Sequence, residues 1–227
     1  MPENLYFQQP STQRILLDVL FVFCKLNPDI GYRQGMHELL APVLWVVERD
    51  AIDSMTLDTP VESMEANDAQ LLHLLDSNYI EHDTFSIFNT IMQSAKTFYE
   101  AKGSSENKPN IDPHNTKLQN GEAPIIARSN RIFKDYLPRL DPGLAAHLES
   151  LNISPQIFLM YVSELSHDYR KSDNFRKWIR LLFGREFPLD DVLSMWDVLF
   201  AEDPSLELVD MICIAMMLRI RWQRSLQ

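Results

Sequence analysis

The feature that most constrains this sequence is the recurrence of its apolar residues every three or four positions along most of the chain. The first such run contains Ile15, Leu16, Val19, Leu20 and Phe23. A spacing of i, i+3 and i+4 places side chains on one side of an α-helix. No stretch alternates apolar and polar residues for long enough to predict a β-strand. The pattern therefore predicts an all-α chain, built as a multi-helix bundle without β-sheet.

Local signals refine where these helices begin and end. A hydroxyl of Ser11 or Thr12 is available to cap the first helix, and the pair Asp83-Thr84 is a plausible cap for a later one. Pro42 lies inside the second apolar run and predicts a kink or a short break there. Gly184 is expected to end a helix. The predicted helices include residues 34–49, 125–137, 142–151, 175–183, 188–200 and 206–222.

The domain organisation follows from length and composition. A chain of 227 residues with 45% hydrophobic content can bury one sizeable core, so residues 1–227 are predicted to form a single domain. Residues 102–122 are polar and almost free of large apolar side chains, which predicts a disordered insertion. A second polar stretch, residues 161–175, also looks inserted. Helical patterning lies on both sides of each.

The charge and cysteine content exclude several classes of protein. A formal net charge of -11 argues against nucleic acid and against acidic membrane surfaces, while it permits a basic protein partner. No run reaches the roughly 20 apolar residues that span a bilayer. The N-terminus lacks a secretory signal, so we expect a cytoplasmic protein. Cys24 and Cys213 lie in apolar runs and are expected to be buried free thiols.

Sites for metal, nucleotide or nucleophilic chemistry are not predicted. The six histidines are scattered without the paired spacing of a metal site. No phosphate-binding P-loop occurs, so the chain is not expected to bind nucleotide on its own. Neither cysteine has the polar surroundings that stabilise a thiolate. We therefore expect no cofactor belonging to this chain.

The turn between the first two apolar runs carries the most suggestive polar residues. Pro28, Asp29 and Gly31 interrupt the helical pattern, and Gln34 and Gly35 stand where the second run begins. A glutamine amide both donates and accepts hydrogen bonds, so it can hold a water molecule in line with a phosphate. Gly35 leaves room for another backbone to approach. On these residues alone the signal is weak, and an ordinary exposed loop is the better interpretation.

Two motifs read together produce a family resemblance. The sequence Gly-Tyr-Arg-Gln-Gly-Met-His-Glu-Leu-Leu-Ala-Pro at residues 31–42 resembles the Tyr-x-Gln-Gly motif of TBC domains, the GTPase-activating domains for Rab proteins. Residues 182–189, Leu-Phe-Gly-Arg-Glu-Phe-Pro-Leu, with Trp196-Asp197 after them, resemble the Phe-Pro-Leu…Trp-Asp segment of these domains. Residues 154–158 match the segment before it. The chain is most similar to the branch named for family member five.

The resemblance implies a mechanism with two catalytic fingers. TBC domains supply a glutamine and an arginine in trans to a Rab–GTP–Mg²⁺ complex, and the partner carries the GTP and Mg²⁺. Gln34 corresponds to the glutamine, while Tyr32, Arg33 and Gly35 are the supporting motif residues. Four other motif positions are expected to be structural: Arg185, Pro188, Trp196 and Asp197. The implied setting is endosomal trafficking, at the periphery of endosomal membranes, with endosomal coat or sorting proteins as further partners.

The arginine finger is where the sequence departs from the family pattern. In TBC domains it belongs to an Ile-x-x-Asp-x-x-Arg motif upstream of the first matched helix, which this chain is expected to start too late to contain. Residues 3–8 match a protease site used to remove purification tags, yet residues 1–8 also resemble the family segment after the arginine. Arg14 and Arg33 are poor substitutes. Activity is therefore expected to be impaired, and a non-catalytic Rab-binding or trafficking scaffold is the alternative; an unrelated helical adaptor would leave both motifs unexplained.

Overall fold

The computed structural model describes residues 5–53, 55, 65–100, 123–150, 178–203 and 205–224. Its α-helices are α1 (Pro10–Leu26), α2 (Met36–Asp50), α3 (Ala66–Leu74), α4 (Ile80–Ala95), α5 (Pro124–Arg131), α6 (Leu137–Leu140), α7 (Pro142–Ser150), α8 (Leu189–Glu202) and α9 (Leu208–Arg224). Short 3₁₀ helices occupy Leu5–Gln8, Ser77–Tyr79 and Lys96–Phe98. Within the described residues there is no β-strand, only an isolated bridge between Ile52 and Asp76. The predicted all-α fold is confirmed.

The chain divides into two compact units, Met1–Gln93 and Ser94–Gln227. The core of the first unit consists of fully or almost fully buried residues of α1, α2 and α4. Phe23 of α1 packs edge-on against Phe88 of α4, with ring centroids 5.1 Å apart. Leu39, Leu40 and Leu44 of α2 are fully buried. This core includes buried residues near the end of α1 and the start of α2, the two helix ends that flank residues 31–36.

The second unit is held by a buried charge cluster between α5 and α9. Asp210 is fully buried, and its carboxylate pairs with Arg128 and with Arg131, whose Nη2 lies 2.6 Å from Oδ2. Arg128 also donates to the carbonyl of Leu206. A buried carboxylate is costly unless it is paired, so the two guanidinium groups make its burial possible. The cluster ties the start of α9 to α5.

Several helix boundaries differ from the sequence-based predictions. Gln9 is the N-cap of α1 and makes no side-chain cap, so neither Ser11 nor Thr12 caps that helix. Thr12 is buried instead. Helix α2 continues through Pro42 without a break, and begins at Met36, because Gly35 has a left-handed φ of 105° that no helical residue adopts.

The predicted cap at Asp83-Thr84 is also wrong. Both residues lie inside α4, and Thr84 is fully buried. The cap is Asp76, whose side chain accepts a hydrogen bond from the Asn78 backbone N–H and starts the 3₁₀ turn that leads into α4. A 3₁₀ turn before a helix removes the need for a cap at the first α-helical residue.

The remaining differences lie in the second unit. The predicted helix over 125–137 contains a π-helical segment, Ile132–Tyr136, between α5 and α6. Helical geometry stops at Arg180, before Gly184, because Leu182 and Phe183 take left-handed φ angles of 43° and 63°. The two predicted insertions, residues 102–122 and 161–175, lie outside the described residues.

Candidate functional site

The Gln34 turn, residues 31–36, connects α1 to α2 through two glycines with left-handed backbone. Asn27 ends α1, and its carbonyl accepts hydrogen bonds from the Ile30 and Gly31 backbone N–H groups at 3.2 and 3.0 Å. Gly31 has a φ of 59° and Gly35 a φ of 105°. A side chain at either position would be strained in this conformation. The glycines therefore set the direction in which the turn leaves α1 and enters α2.

Buried anchors on α2 hold the end of the turn. The backbone N–H of Arg33 lies 3.3 Å from Sδ of Met36, a residue with no exposed surface. The Met36 N–H donates to the Arg33 carbonyl at 3.2 Å, and the Glu38 N–H donates to the Gly35 carbonyl at 2.9 Å. The main chain on both sides of Gln34 is thus tied to the first turn of a helix whose own core face is buried.

The polar side chains of the turn are exposed to solvent, although its backbone is anchored to a buried helix end. Tyr32, Arg33 and Gln34 are all exposed, and Gly35 is buried. Within the described residues, the Gln34 carboxamide makes no hydrogen bond. An exposed amide on a backbone held by a buried helix end can bind a water molecule or an oxygen of a partner without breaking an internal bond.

A second layer of polar contacts surrounds Tyr32. Its hydroxyl lies 2.9 Å from Nδ1 of His37, and the two rings are stacked with centroids 6.4 Å apart. Nε2 of His37 lies 3.8 Å from a carboxylate oxygen of Glu38. Burial raises the pKa of Tyr32, and the charge of Glu38 acts in the same direction, so the phenol stays protonated at neutral pH.

His37 is the site residue to which sequence reasoning gave no role. It is part of the quoted motif, five residues after Tyr32, but a lone histidine among scattered histidines carries no signal by spacing. Only the folded turn brings its Nδ1 to the Tyr32 hydroxyl.

The second motif forms a turn at residues 181–187 of the other unit. We call it the Trp196 turn because the side chain of Trp196 donates a hydrogen bond to it. Trp196 of α8 is almost fully buried, and its indole Nε1–H donates to the carbonyl of Leu182 at 2.8 Å. The Phe183 N–H donates to the Trp178 carbonyl at 2.9 Å. These bonds satisfy backbone groups of a tight left-handed turn whose Leu181, Leu182 and Phe183 side chains are buried.

The other motif residues of this unit lie on its surface. Arg185, Pro188 and Asp197 are exposed, and Pro188 is the N-cap of α8. The Gln34 turn and the Trp196 turn belong to different units.

The two cysteines and the side chains that can bind metals are the remaining candidates for site chemistry. Cys24 and Cys213 are both free. Cys213 is fully buried as expected, whereas Cys24 is partly exposed. Burial raises the pKa of both thiols, which disfavours a nucleophilic thiolate. Among the described residues, no group of His, Cys, Asp or Glu side chains could hold a metal ion.

Comparison with known families decides what kind of domain carries these two turns. The family model described as the Rab-GTPase-TBC domain matches residues 1–163. The chain belongs to the Rab-GTPase-TBC family. The match includes the Gln34 turn, while the Trp196 turn lies beyond it.

Individual relatives agree with this assignment. The chain is 36% identical over 226 residues to the human protein TBC1 domain family member 5, covering 97% of this chain and 26% of that protein. It is 25% identical to the GTPase-activating protein gyp1 of Schizosaccharomyces pombe, covering 100% of this chain and 36% of the relative. The chain spans about a quarter of the length of the first of these relatives.

A solved structure supports the fold. The crystal structure of the Ypt/Rab-GAP domain of Gyp1p superposes on this TBC domain with a TM-score of 0.61 at 22% sequence identity, covering 97% of this chain and 56% of the other. Among the described residues, no helix has the length and apolarity needed to cross a membrane.

Proposed function

We propose that this TBC domain binds a Rab-family GTPase in its GTP form and accelerates GTP hydrolysis, with Gln34 as the catalytic glutamine. The observation that carries the proposal is the Gln34 turn, in which an exposed, unengaged carboxamide stands on a backbone held by buried Met36 and by glycines. Membership of the Rab-GTPase-TBC family supplies the class of partner.

The proposed chemistry is the orientation of the attacking water. GTP hydrolysis requires a water in line with the γ-phosphate, and a positioned glutamine can accept a hydrogen bond from that water through its carboxamide oxygen and donate one to a phosphate oxygen through its NH₂ group. A fixed backbone lowers the entropy lost when the water is held. The partner supplies GTP and Mg²⁺, so no cofactor of this chain takes part.

The arginine of the mechanism would neutralise the charge that develops on the phosphate oxygens, which for arginine fingers is worth about 10³–10⁵ in rate. The Ile-x-x-Asp-x-x-Arg motif does not occur in the 227 residues. Rab binding without catalysis is the second candidate function. The endosomal setting implied by the resemblance remains part of the proposal, to be tested by locating the tagged protein against endosomal markers in cells.

The deciding experiment is phosphate release from a panel of Rab–GTP proteins. It compares the 227-residue chain with the same chain joined to the arginine-bearing segment of a Rab-GTPase-TBC relative, and with that fusion carrying Lys in place of the arginine. Acceleration that needs the arginine supports the two-finger proposal. Binding to Rab–GTP without acceleration in any form supports the second candidate, and absence of binding to every Rab contradicts both.

A further inference from the structure

We propose that His37 is a positioning residue for the glutamine finger: it holds Tyr32 across the Gln34 turn and so fixes the backbone that carries Gln34. The inference rests on the proposed function for its catalytic consequence. Its structural part concerns the order of the turn and stands on the contacts of this chain.

The contact between the two side chains spans the turn. The Tyr32 hydroxyl and Nδ1 of His37 are 2.9 Å apart, and the ring planes are inclined by 29° with centroids 6.4 Å apart. Both the distance and the stacking lie in the ranges of favourable contacts. Gln34 lies between these two residues in sequence, so the side-chain bond closes a loop around it.

The two ends of this loop differ in how firmly they are held. His37 is on the first turn of α2, between Met36 and the fully buried Leu39. Tyr32 precedes the helix and is 52% exposed. A bond to a residue on a packed helix restrains the exposed residue that precedes that helix. The free-energy cost of ordering one backbone residue is comparable with the net stabilisation from one hydrogen bond, so a single bond can offset it.

Glu38 favours the tautomer in which Nδ1 of His37 accepts this hydrogen bond. Its carboxylate lies 3.8 Å from Nε2 of His37, on the opposite edge of the ring from Tyr32. A carboxylate beside Nε2 favours the proton on that nitrogen, which leaves Nδ1 free to accept the Tyr32 O–H.

The first test measures order in the 227-residue chain itself. The order parameter of the Gln34 backbone amide, obtained from ¹⁵N relaxation, is compared in Tyr32→Phe, His37→Ala and the double variant. Each single variant is expected to lower it from a rigid value near 0.85 toward about 0.6. The double variant is expected to match the singles, because both remove the same bond. His37→Asn, which places an acceptor near the position of Nδ1, should restore order.

Tyr79→Phe is the matched control. Tyr79 is 49% exposed and packs edge-on beside His82 with centroids 6.4 Å apart, a second exposed tyrosine–histidine pair in the same unit. Its substitution should leave the Gln34 order parameter unchanged. An unchanged order parameter in both Tyr32→Phe and His37→Ala would overturn the inference, as would additive effects in the double variant.

The second test separates the inference from the proposed function. In the arginine-bearing fusion, Tyr32→Phe and His37→Ala are expected to lower kcat about tenfold with KM changed less than twofold, because misplacement of a catalytic group affects the transition state. An inactive parent fusion contradicts the proposed function while the relaxation data still decide the inference. An active parent whose variants keep full kcat overturns the positioning role.

Discussion

The Gln34 turn and the Trp196 turn both require left-handed backbone, and they obtain it by opposite means. The first uses glycines at positions 31 and 35, which adopt such angles without steric cost. The second places leucine and phenylalanine there, at positions 182 and 183, both fully buried. Strain of this kind persists only where the surroundings impose it.

The two turns differ in whether their polar groups are available to a partner or are already bonded within the protein. The carbonyl of Leu182 receives the indole N–H of Trp196, so the polar groups of the strained turn are used internally. The Gln34 carboxamide is exposed and, within the described residues, unengaged. Of the two motifs that carry the family resemblance, one is thus suited to contact a partner and the other to stabilise its unit.

The largest effect is expected from Trp196→Ala. Removing this buried side chain leaves a cavity and an unpaired carbonyl, and such changes cost about 3–5 kcal/mol in the free energy of unfolding. Urea denaturation measures the loss. Trp196→Phe is the control, since it keeps most of the volume and loses only the N–H donor, at a cost of about 1–3 kcal/mol. A Trp196→Ala chain as stable as the parent would mean that the turn does not depend on this contact.

Gln34→Ala tests the open turn. In the arginine-bearing fusion, we expect a rate lower by about 10²–10³, the range found when one positioned transition-state donor is removed. The free energy of unfolding should stay within about 0.5 kcal/mol, because the side chain is exposed. The control is Gln70→Ala, at an exposed glutamine of α3. Equal rates in the two variants would remove Gln34 from the catalytic role.

Gly35→Ala asks whether the open turn also depends on its backbone. A φ of 105° is unfavourable for alanine, so we expect a loss of about 1–3 kcal/mol in unfolding free energy, measured with urea. The control is Gly143→Ala, in α7, where an added Cβ would meet its nearest neighbour, the Arg221 guanidinium, at 3.4 Å. That variant should be neutral or slightly stabilising, and equal losses in both would show that φ is not the cause.

The smallest effect is expected from Asp197→Asn. Asp197 follows Trp196 in the same motif but is exposed on α8, so the change in unfolding free energy should stay within about 0.5 kcal/mol. Thermal denaturation at neutral pH measures it. A loss above 1 kcal/mol would show that this carboxylate helps to stabilise the Trp196 turn. It would also weaken the contrast between buried Trp196 and exposed Asp197.

The sequence predicted the all-α fold and placed Gln34 in an exposed turn, whereas its errors concern where individual helices begin and end. The helices from α1 to α9 follow apolar spacing that local sequence displays directly. The wrong predictions all concern helix boundaries: the hydroxyl cap of α1, the cap at Asp83-Thr84 and the helix end at Gly184. At a helix end several cap residues give similar free energies, so tertiary packing decides which one is used. Thr12 and Thr84 are buried in the core and therefore do not cap a helix.

The sequence by itself determined the helical class, the exposed Gln34 turn and the family, because periodicity and short motifs are properties of neighbouring residues. The tertiary structure decided which motif residues face inward. Trp196 contacts Leu182 from 14 positions away, and that distant bond allows two bulky residues to hold angles that the local sequence disfavours. It also paired His37 with Tyr32, a contact that depends on the path imposed by Gly35. Side-chain contacts across a turn depend on backbone angles that spacing alone does not specify.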